Sequence, residues 1–545
     1  MRCHPSLVRG VFAGALAASS LSAFPALAAP VASASASASA IARAPSVYDT
    51  RARDWRNGAV VYQVIVDRFV PAADVDAKRA LYPPPKVLHA WSDLPRAGAY
   101  LPDQKVNSAE LDFWGGDLRS ATTRVDYVKS LGADVFYLNP IHLAYTNHKY
   151  DALDYRQISP EYGTHADFRR FADAVHAAGM KVVLDGVFNH MGRNSPRFQE
   201  AFARPDSPWR DWFVIGHQYA GGARVWTGFQ NLPELDLENP AVQRDLWGGH
   251  DSVVRSWLRE GADGWRLDTA FELGPRKLAA LTAAAHAEKP GSLVVGEIAN
   301  YPAGWLHDDA LDAVMGFNLR LVILGTLDGQ IEPARAGRMI DRIARESGIE
   351  PMLKSWIVID NHDIPRIATQ LPDIERRRLA QVLQFTLPGS PNVYYGTEVG
   401  MVGGADPENR GPMRWDLARD DNPDLQWMRR LIALHHERRA LRVGDFRLME
   451  SDHLLAFERH TDRALETVLV FANTTAAPVT ERVLVANSWL MDDTPLVDLL
   501  APAGTPAVAT IGSGFVTVAV QAHSVLVLAP KERDQGGYSR YKGVP

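Results

Sequence analysis

Apolar side chains recur along this chain in two alternating rhythms. Short runs rich in β-branched residues read as buried strands: Ala59–Val66, Val135–Leu138, Lys181–Val187, Ala262–Leu267, Leu293–Val295, Ala313–Met315, Trp356–Ile359 and Pro391–Tyr395. Between them, apolar positions three and four apart predict helices over 118–131 (Leu118, Val125, Val128, Leu131) and 164–178 (Phe168, Phe171, Ala172, Val175), and further helices over 241–260, 274–287, 374–387 and 424–440. Eight strands, each followed by helical sequence, imply parallel strands with helical crossovers, and that number closes a (β/α)8 barrel over residues 51–440.

Two stretches break the rhythm inside the barrel. Val70 to Asp112 is an irregular, proline-containing excursion, and about 191–240 exceeds an ordinary strand-to-helix loop. The second stretch carries Trp209, Trp212 and Trp226 and is expected to form a small subdomain over the barrel mouth, inserted after strand 3. After about residue 440 the helical period disappears. Leu454–Phe457, Thr467–Phe471, Arg482–Val485, Phe515–Val520 and Ser524–Leu528 are short strands between polar turns, which predicts an all-β sandwich over 441–530, followed by a loose tail at 531–545.

The beginning of the chain has a different character. Arg2 and Arg9 precede an apolar, alanine-rich run, and Ala26-Leu27-Ala28 fits a small-residue cleavage site, so residues 1–28 read as a signal peptide. Residues 29–50 form an Ala/Ser-rich linker with nothing to bury. The expectation is export, to the periplasm or beyond, with no membrane contact after cleavage. The only cysteine, Cys3, lies in the removed segment, so the mature chain would have no disulfide and no thiolate chemistry. A net charge of -6 over 545 residues argues against nucleic acid as a partner. Fourteen Trp and sixteen Tyr suit stacking against sugar rings, although most such residues pack in cores.

Barrel enzymes carry their reactive groups at the C-terminal ends of strands. Here the third strand ends in Asp185-Gly186-Val187-Phe188-Asn189-His190 and the fourth in Arg266-Leu267-Asp268. The fifth ends in Gly296-Glu297, and the seventh in Asp360-Asn361-His362-Asp363. Arg266 and Asp268, two apart on a strand, point the same way. An arginine there favours the ionised carboxylate, while the crowding of several carboxyl groups raises at least one pKa. A protonated acid beside an ionised partner is the equipment of glycoside hydrolysis, and a retaining mechanism requires the pair roughly 5–5.5 Å apart.

Those four blocks, in that order, resemble the α-amylase superfamily of retaining glycoside hydrolases from about Val60 to Asp416. Val61-Tyr62-Gln63 with Asp67-Arg68-Phe69, Gly115-Gly116-Asp117-Leu118 and Asn147-His148-Lys149-Tyr150-Asp151 agree with it. The resemblance implies catalytic roles for Asp268 as nucleophile, Glu297 as acid and then base, and Asp363 as the carboxylate that grips ring hydroxyls. It implies substrate contacts from Tyr150, His190, Arg266 and His362, with Asp185 orienting Arg266. The block from Tyr394 to Met413 is similar to the neopullulanase, cyclomaltodextrinase and maltogenic amylase branch, where the equivalents of Asp406 and Arg410 hold the next sugar inward. Glu272 and Leu232–Asp236 point to the same branch.

Some positions depart from that branch. An N-terminal β-domain is expected there, but a linker stands in its place, and Ala299-Asn300 occupy the position where a tryptophan is usual. Glu272 replaces a calcium-ligating histidine of many α-amylases. No cofactor is required for the chemistry. A structural calcium site around Asp74, Asp76, Gly115 and Asp117 stands against the alternative that these are solvated loop residues. The implied partner is an α-glucan oligosaccharide or polysaccharide cleaved at α-1,4 bonds. A transglycosylase or isomerase on the same barrel, and a catalytically silent glucan-binding protein, are the competing readings.

Overall fold

The computed structural model describes residues 45–532 and 538–544. The expected signal peptide, Cys3 and the linker up to Ala44 lie outside the described residues. Eight parallel strands form one sheet: β1 (Val61–Val64), β2 (Val135–Leu138), β3 (Lys181–Gly186), β4 (Gly264–Leu267), β5 (Leu293–Gly296), β6 (Ala313–Val314), β7 (Trp356–Val358) and β8 (Ser390–Tyr394). β1 to β6 pair in sequence order, and β8 joins β1 to β7. Met315 bridges to Trp356, where the Gly316 N–H donates to the Trp356 carbonyl at 2.8 Å, so the two ends of the sheet meet and the barrel closes.

Alternation along each strand divides the side chains between two cores. Val61, Tyr137, Val183, Val295, Trp356 and Val358 fill the barrel, while Tyr62, Phe136, Val182, Leu184 and Trp265 pack outward under the helices. The parity that turns Val183 inward also turns Asp185 inward, and the register sets Arg266 beside it on β4. Gly264 is required at the start of β4. A Cβ there would come 2.4 Å from the Leu293 carbonyl oxygen of β5.

The crossover helices are α1 (Val125–Leu131), α2 (His165–Ala177), α3 (Val253–Glu260), α4 (Pro275–Glu288), α5 (Phe317–Leu327), α6 (Pro333–Ser347), α7 (Ile374–Thr386) and α8 (Pro423–Glu437). Three differ from the sequence expectation. The helix expected over 118–131 is broken after Thr122, where Thr122 and Thr123 turn their hydroxyls back onto the Leu118 and Ser120 carbonyls. The helix expected over 241–260 starts at Pro240, passes through one π turn at Arg244–Gly248 and stops at the Gly248-Gly249 pair, before α3 resumes. Between β5 and β6 there is only a short 3-10 turn at Ala303–Trp305, so one crossover has no α-helix.

The insertion after β3 contains a helix at Pro196–Ala203 and is tied back by bridges His190–Glu234, Phe213–Leu235 and Val225–Pro233. After the barrel come β9 (Asp445–Leu448), β10 (Leu455–His460), β11 (Val468–Asn473), β12 (Val479–Leu484), β13 (Pro495–Asp498), β14 (Ala509–Thr510), β15 (Phe515–Val520) and β16 (Ser524–Pro530). The β12–β15 pair covers one face of the other six, with Leu469, Phe471 and Leu528 meeting Val483, Val516 and Val518 in a separate small core. This is a two-layer all-β arrangement. The linker was expected to run to residue 50, yet Val47–Arg53 form a helix with a Ser46/Asp49 capping box. In the tail, Tyr541 is buried, its hydroxyl paired with Thr494 Oγ1.

Candidate active site

The C-terminal ends of the barrel strands open into a cleft of about 460 Å³, within the usual range for a small-ligand site. Asp268, Glu297, Asp363, Tyr150, His190, Asp406 and Arg410 all line it. Arg266 lies directly beneath, fully buried, and His362 stacks on Tyr150 with ring centres 5.5 Å apart and planes at 5°. Every site residue expected from the sequence therefore converges on one mouth. Glu272 does not: it is exposed outside the lining, and its neighbour Phe271 lines the cleft instead.

The Arg266 guanidinium organises the carboxylates. Nη1 donates to Asp185 at 2.8 and 3.0 Å and to Asp268 Oδ1 at 3.1 Å, while Nη2 stands 3.0 Å from Glu297 Oε2. Asp268 and Glu297 are thus held by a single arginine. Beneath them Asp185 also accepts from the Tyr137 hydroxyl at 2.6 Å and the Tyr150 hydroxyl at 2.9 Å.

One positive charge faces three carboxylates here, in a buried site. Burial raises the pKa of Asp268 above the ordinary carboxyl value, with the charges of Glu297, Asp185 and Asp363 adding to it against the pull of Arg266. Burial raises Glu297 too, again against Arg266. The simple expectation that Arg266 holds Asp268 ionised is therefore incomplete: burial and the neighbouring carboxylates oppose it, and three acids share one guanidinium.

Both imidazoles are neutral. Burial pushes His190 down to about 3 and His362 well below its ordinary value. The tautomer of His362 follows from Gln63. Its amide nitrogen donates to Asn139 Oδ1 at 3.0 Å and meets His362 Nδ1 at 2.9 Å, while its oxygen accepts from Asn392 at 3.0 Å. Nδ1 accepts, so the proton sits on Nε2, which faces the Tyr150 hydroxyl and lies 3.2 Å from Asp363. Arg410 ties this strand end together, donating to the His362 carbonyl at 2.8 Å and lying within 3.4 Å of Asp363 and 3.2 Å of Asp406.

The acids proposed for calcium are otherwise engaged. The Lys78 ammonium sits 2.9 Å from the Gly115 carbonyl and 3.3 Å from Asp117, which also caps Ser120 N–H, and Asp76 pairs with Arg79. A cation in that place would have to displace Lys78, so of the two readings these residues do not fit the calcium one. Among the described residues no group of three or more His, Cys, Asp and Glu is arranged to hold a metal.

Arg266 thus sits beneath a buried cluster of three carboxyls at the mouth of a closed barrel. The description "Alpha amylase, catalytic domain" matches residues 63–428. The chain belongs to the α-amylase family. It is a glycoside hydrolase of that family, acting on α-glucans. Neopullulanase 2 of Thermoactinomyces vulgaris is 32% identical over 422 residues, covering 74% of this chain and 68% of its own. A cyclomaltodextrinase of a Bacillus species is 31% identical over 445 residues, covering 79% and 75%. The intracellular maltogenic amylase of Bacillus subtilis is 32% identical over 433 residues, covering 77% and 69%. Among solved structures, cyclic α-maltosyl-(1→6)-maltose hydrolase from Arthrobacter globiformis superposes with a TM-score of 0.72 at 28% identity, covering 88% of this chain and all of that one.

The cleft also contains residues to which sequence reasoning gave no role: Glu110, His148, Trp226, Phe229, Phe271, Thr269 and Phe317. His148 lies inside the Asn147–Asp151 block that carried the resemblance. Trp226 lies in the insertion expected over the mouth and stacks on His190 with ring centres 5.6 Å apart. Glu110 belongs to the aperiodic excursion before β2, where no pattern marks one acid over another.

Proposed function

We propose that this α-amylase family enzyme is exported and cleaves α-1,4-glucosidic bonds of starch-type glucans or maltooligosaccharides by double displacement, with retention. The observation that carries the reading is Arg266 holding Asp268 and Glu297 together at the base of one cleft. In the first step Glu297, as the acid, gives its proton to the glycosidic oxygen as the Asp268 carboxylate attacks the anomeric carbon. The leaving chain departs with that proton and a glycosyl–Asp268 ester remains. In the second step Glu297, now ionised, takes a proton from water, which opens the ester and regenerates Asp268 as a carboxylate.

Around this pair Asp363 would grip ring hydroxyls as the sugar flattens, and the neutral His190 and His362 would donate to others. Tyr150 offers an aromatic face to the ring, and Asp406 with Arg410 would hold the next unit. Ala299, small where a tryptophan is usual, leaves that part of the lining open. Export rests on residues 1–28 alone.

The experiment is incubation of the purified protein with starch, pullulan and cyclodextrin, followed by product chromatography and anomer analysis. Maltooligosaccharides released in the α-anomeric form are expected. Panose from pullulan would place it with neopullulanases, and transfer products from maltotriose in place of hydrolysis would mark a transglycosylase. Inverted products would overturn the reading.

A further inference from the structure

All fourteen tryptophans lie among the described residues, and Trp489 alone is exposed, at 55%. It stands in a turn, Asn487–Leu490, closed by the Leu490 N–H on the Asn487 carbonyl at 3.1 Å and anchored by the buried Leu490 side chain. Asn487 stiffens this turn. Its Oδ1 accepts from the Trp489 N–H at 3.1 Å, and its Nδ2 donates to Glu458 Oε1 at 3.0 Å and to Thr467 Oγ1 at 3.1 Å. The indole is thus held out from the sandwich on a fixed support, with little freedom left to lose when a ligand stacks on it.

Beside it lies a pocket of about 200 Å³, lined by Arg447, His460, Thr461, Asn487, Ser488 and Trp489. Strand alternation places polar groups at its floor. Ala456 faces the small core between the two layers, and Glu458 and His460, two and four further along β10, point the same way. There the loop after β12 takes over from the apolar layer. Glu458 is fully buried, and its cross-strand partner Arg447 donates from Nη1 to Oε2 at 3.3 Å. His460 Nδ1 lies 3.3 Å from Glu458 Oε1. Burial pushes the imidazole down to about 4, so it is neutral, with its proton on the nitrogen facing the carboxylate and an acceptor at Nε2.

The charges of Arg447 and Glu458 cancel. What remains is an aromatic face beside hydrogen-bonding groups without net charge. An ionic ligand gains little from such a pocket. A pyranose ring fits it, with its apolar face on the indole and its hydroxyls toward Arg447 and His460.

This pocket is no part of the cleft. Arg459, between Glu458 and His460, donates to the Thr386 carbonyl at 2.8 Å, at the end of α7 that leads into β8. His460 pairs across the sheet with Asp445, which accepts from Arg51 just ahead of β1. This end of the sandwich therefore lies by the N-terminal ends of the barrel strands, opposite the catalytic mouth. A sugar seated there belongs to a different stretch of chain from the one being cleaved.

We propose that Trp489, Arg447 and His460 form a surface site for an α-glucan chain, which anchors polymeric substrate on the side of the enzyme away from its cleft. This rests on the proposed starch-type substrate, but its test is separable from it. Binding is measured by sedimentation with starch granules, on an Asp268→Asn background so that nothing is consumed. Trp489→Ala should weaken granule binding by about 3- to 10-fold, the scale of one stacked ring, and Trp489→Phe should fall between. In the active enzyme Trp489→Ala should raise KM on granular starch in similar proportion. Its kinetics on 4-nitrophenyl α-maltoside, which fills only the cleft, should be unchanged.

The maltoside activity and the melting temperature report whether each variant is folded. Granule binding by Trp489→Ala equal to that of its parent would overturn the inference. So would a loss on the maltoside matching the loss on starch, since Trp489 would then only support the fold. The starch reading fails separately, if the wild-type enzyme cleaves the maltoside but leaves soluble starch uncut.

Discussion

The Thr269 backbone N–H donates to Glu297 Oε2 at 2.9 Å. Thr269 follows Asp268 directly and turns β4 with a left-handed φ of 41°, a conformation that a β-branched residue seldom adopts. That turn aims the peptide N–H across to the neighbouring strand end. The backbone of the proposed nucleophile thus positions the proposed acid, and Arg266 positions both from below. The separation of the two carboxyls is set by β-sheet register, by one peptide bond and by one guanidinium, all of them stiff.

Removing either carboxyl should therefore stop hydrolysis in a distinguishable way. Glu297→Gln should cut kcat/KM on maltooligosaccharides by about 10²–10⁴-fold. A 4-nitrophenyl glycoside, whose leaving group needs no proton, should be spared in its first step, and azide, which needs no general base, should restore turnover. Asp268→Asn should lose both substrates, and azide should not rescue it. Steady-state kinetics with and without azide, together with product anomers, check this.

Gln63 should matter beyond its place on β1. It leaves the proton of His362 on Nε2, facing Tyr150 and Asp363. Gln63→Glu puts an acceptor against Nδ1 and draws the proton there, so the cleft loses a donor. The expected result is a fall in kcat of about 10- to 100-fold with a smaller change in KM. Nitrogen NMR of the His362 ring, in wild type and variant, should show the tautomer exchange.

Much of this was legible in the chain because the signals were periodic or clustered. The strands ending in Asp185, Asp268, Glu297 and Asp363 were apolar runs with an abrupt polar end, and the register of a closed barrel did the rest. The α3 region was over-read, since helical spacing continued across a Gly248-Gly249 pair that ends the helix. The helix at Val47–Arg53 has a local start signal in the Ser46/Asp49 capping box, but it directly follows the Ala/Ser-rich run and the partners that anchor it, Glu350 and Asp445, are distant in the chain.

That early helix supplies a stability prediction. Arg51 donates to Glu350 Oε1 at 2.7 Å, to the Val443 carbonyl at 3.1 Å and to Asp445 Oδ1 at 2.8 Å, and the Tyr48 hydroxyl joins it on Asp445 at 2.6 Å. Arg51 is buried, but Glu350 and Asp445 are partly exposed, so solvent screens the ion pairs. Arg51→Ala should cost about 2 kcal/mol, mainly from the unpaired Val443 carbonyl and the lost charge-assisted bonds. Urea unfolding should show the loss, with kcat unchanged, since these contacts are remote from the cleft.

The last prediction concerns pH and a histidine away from the chemistry. His142 is fully buried among Tyr155, Trp257 and Trp265, and neither ring nitrogen has a hydrogen-bond partner. Burial pushes its pKa down to about 3, whereas the unfolded chain titrates near 6.5. The unfolded state therefore takes up a proton that the folded state refuses. Stability from this residue is complete above about pH 6.5 and is lost as the pH falls from there toward 3, at up to about 1.4 kcal/mol per pH unit. His142→Leu keeps an apolar side chain in the site and removes the titration. Between pH 6 and 4.5, unfolding free energies of the variant should fall less steeply than those of wild type by nearly that slope, whatever the other groups contribute. Parallel curves would show that His142 already carries its proton in the folded protein.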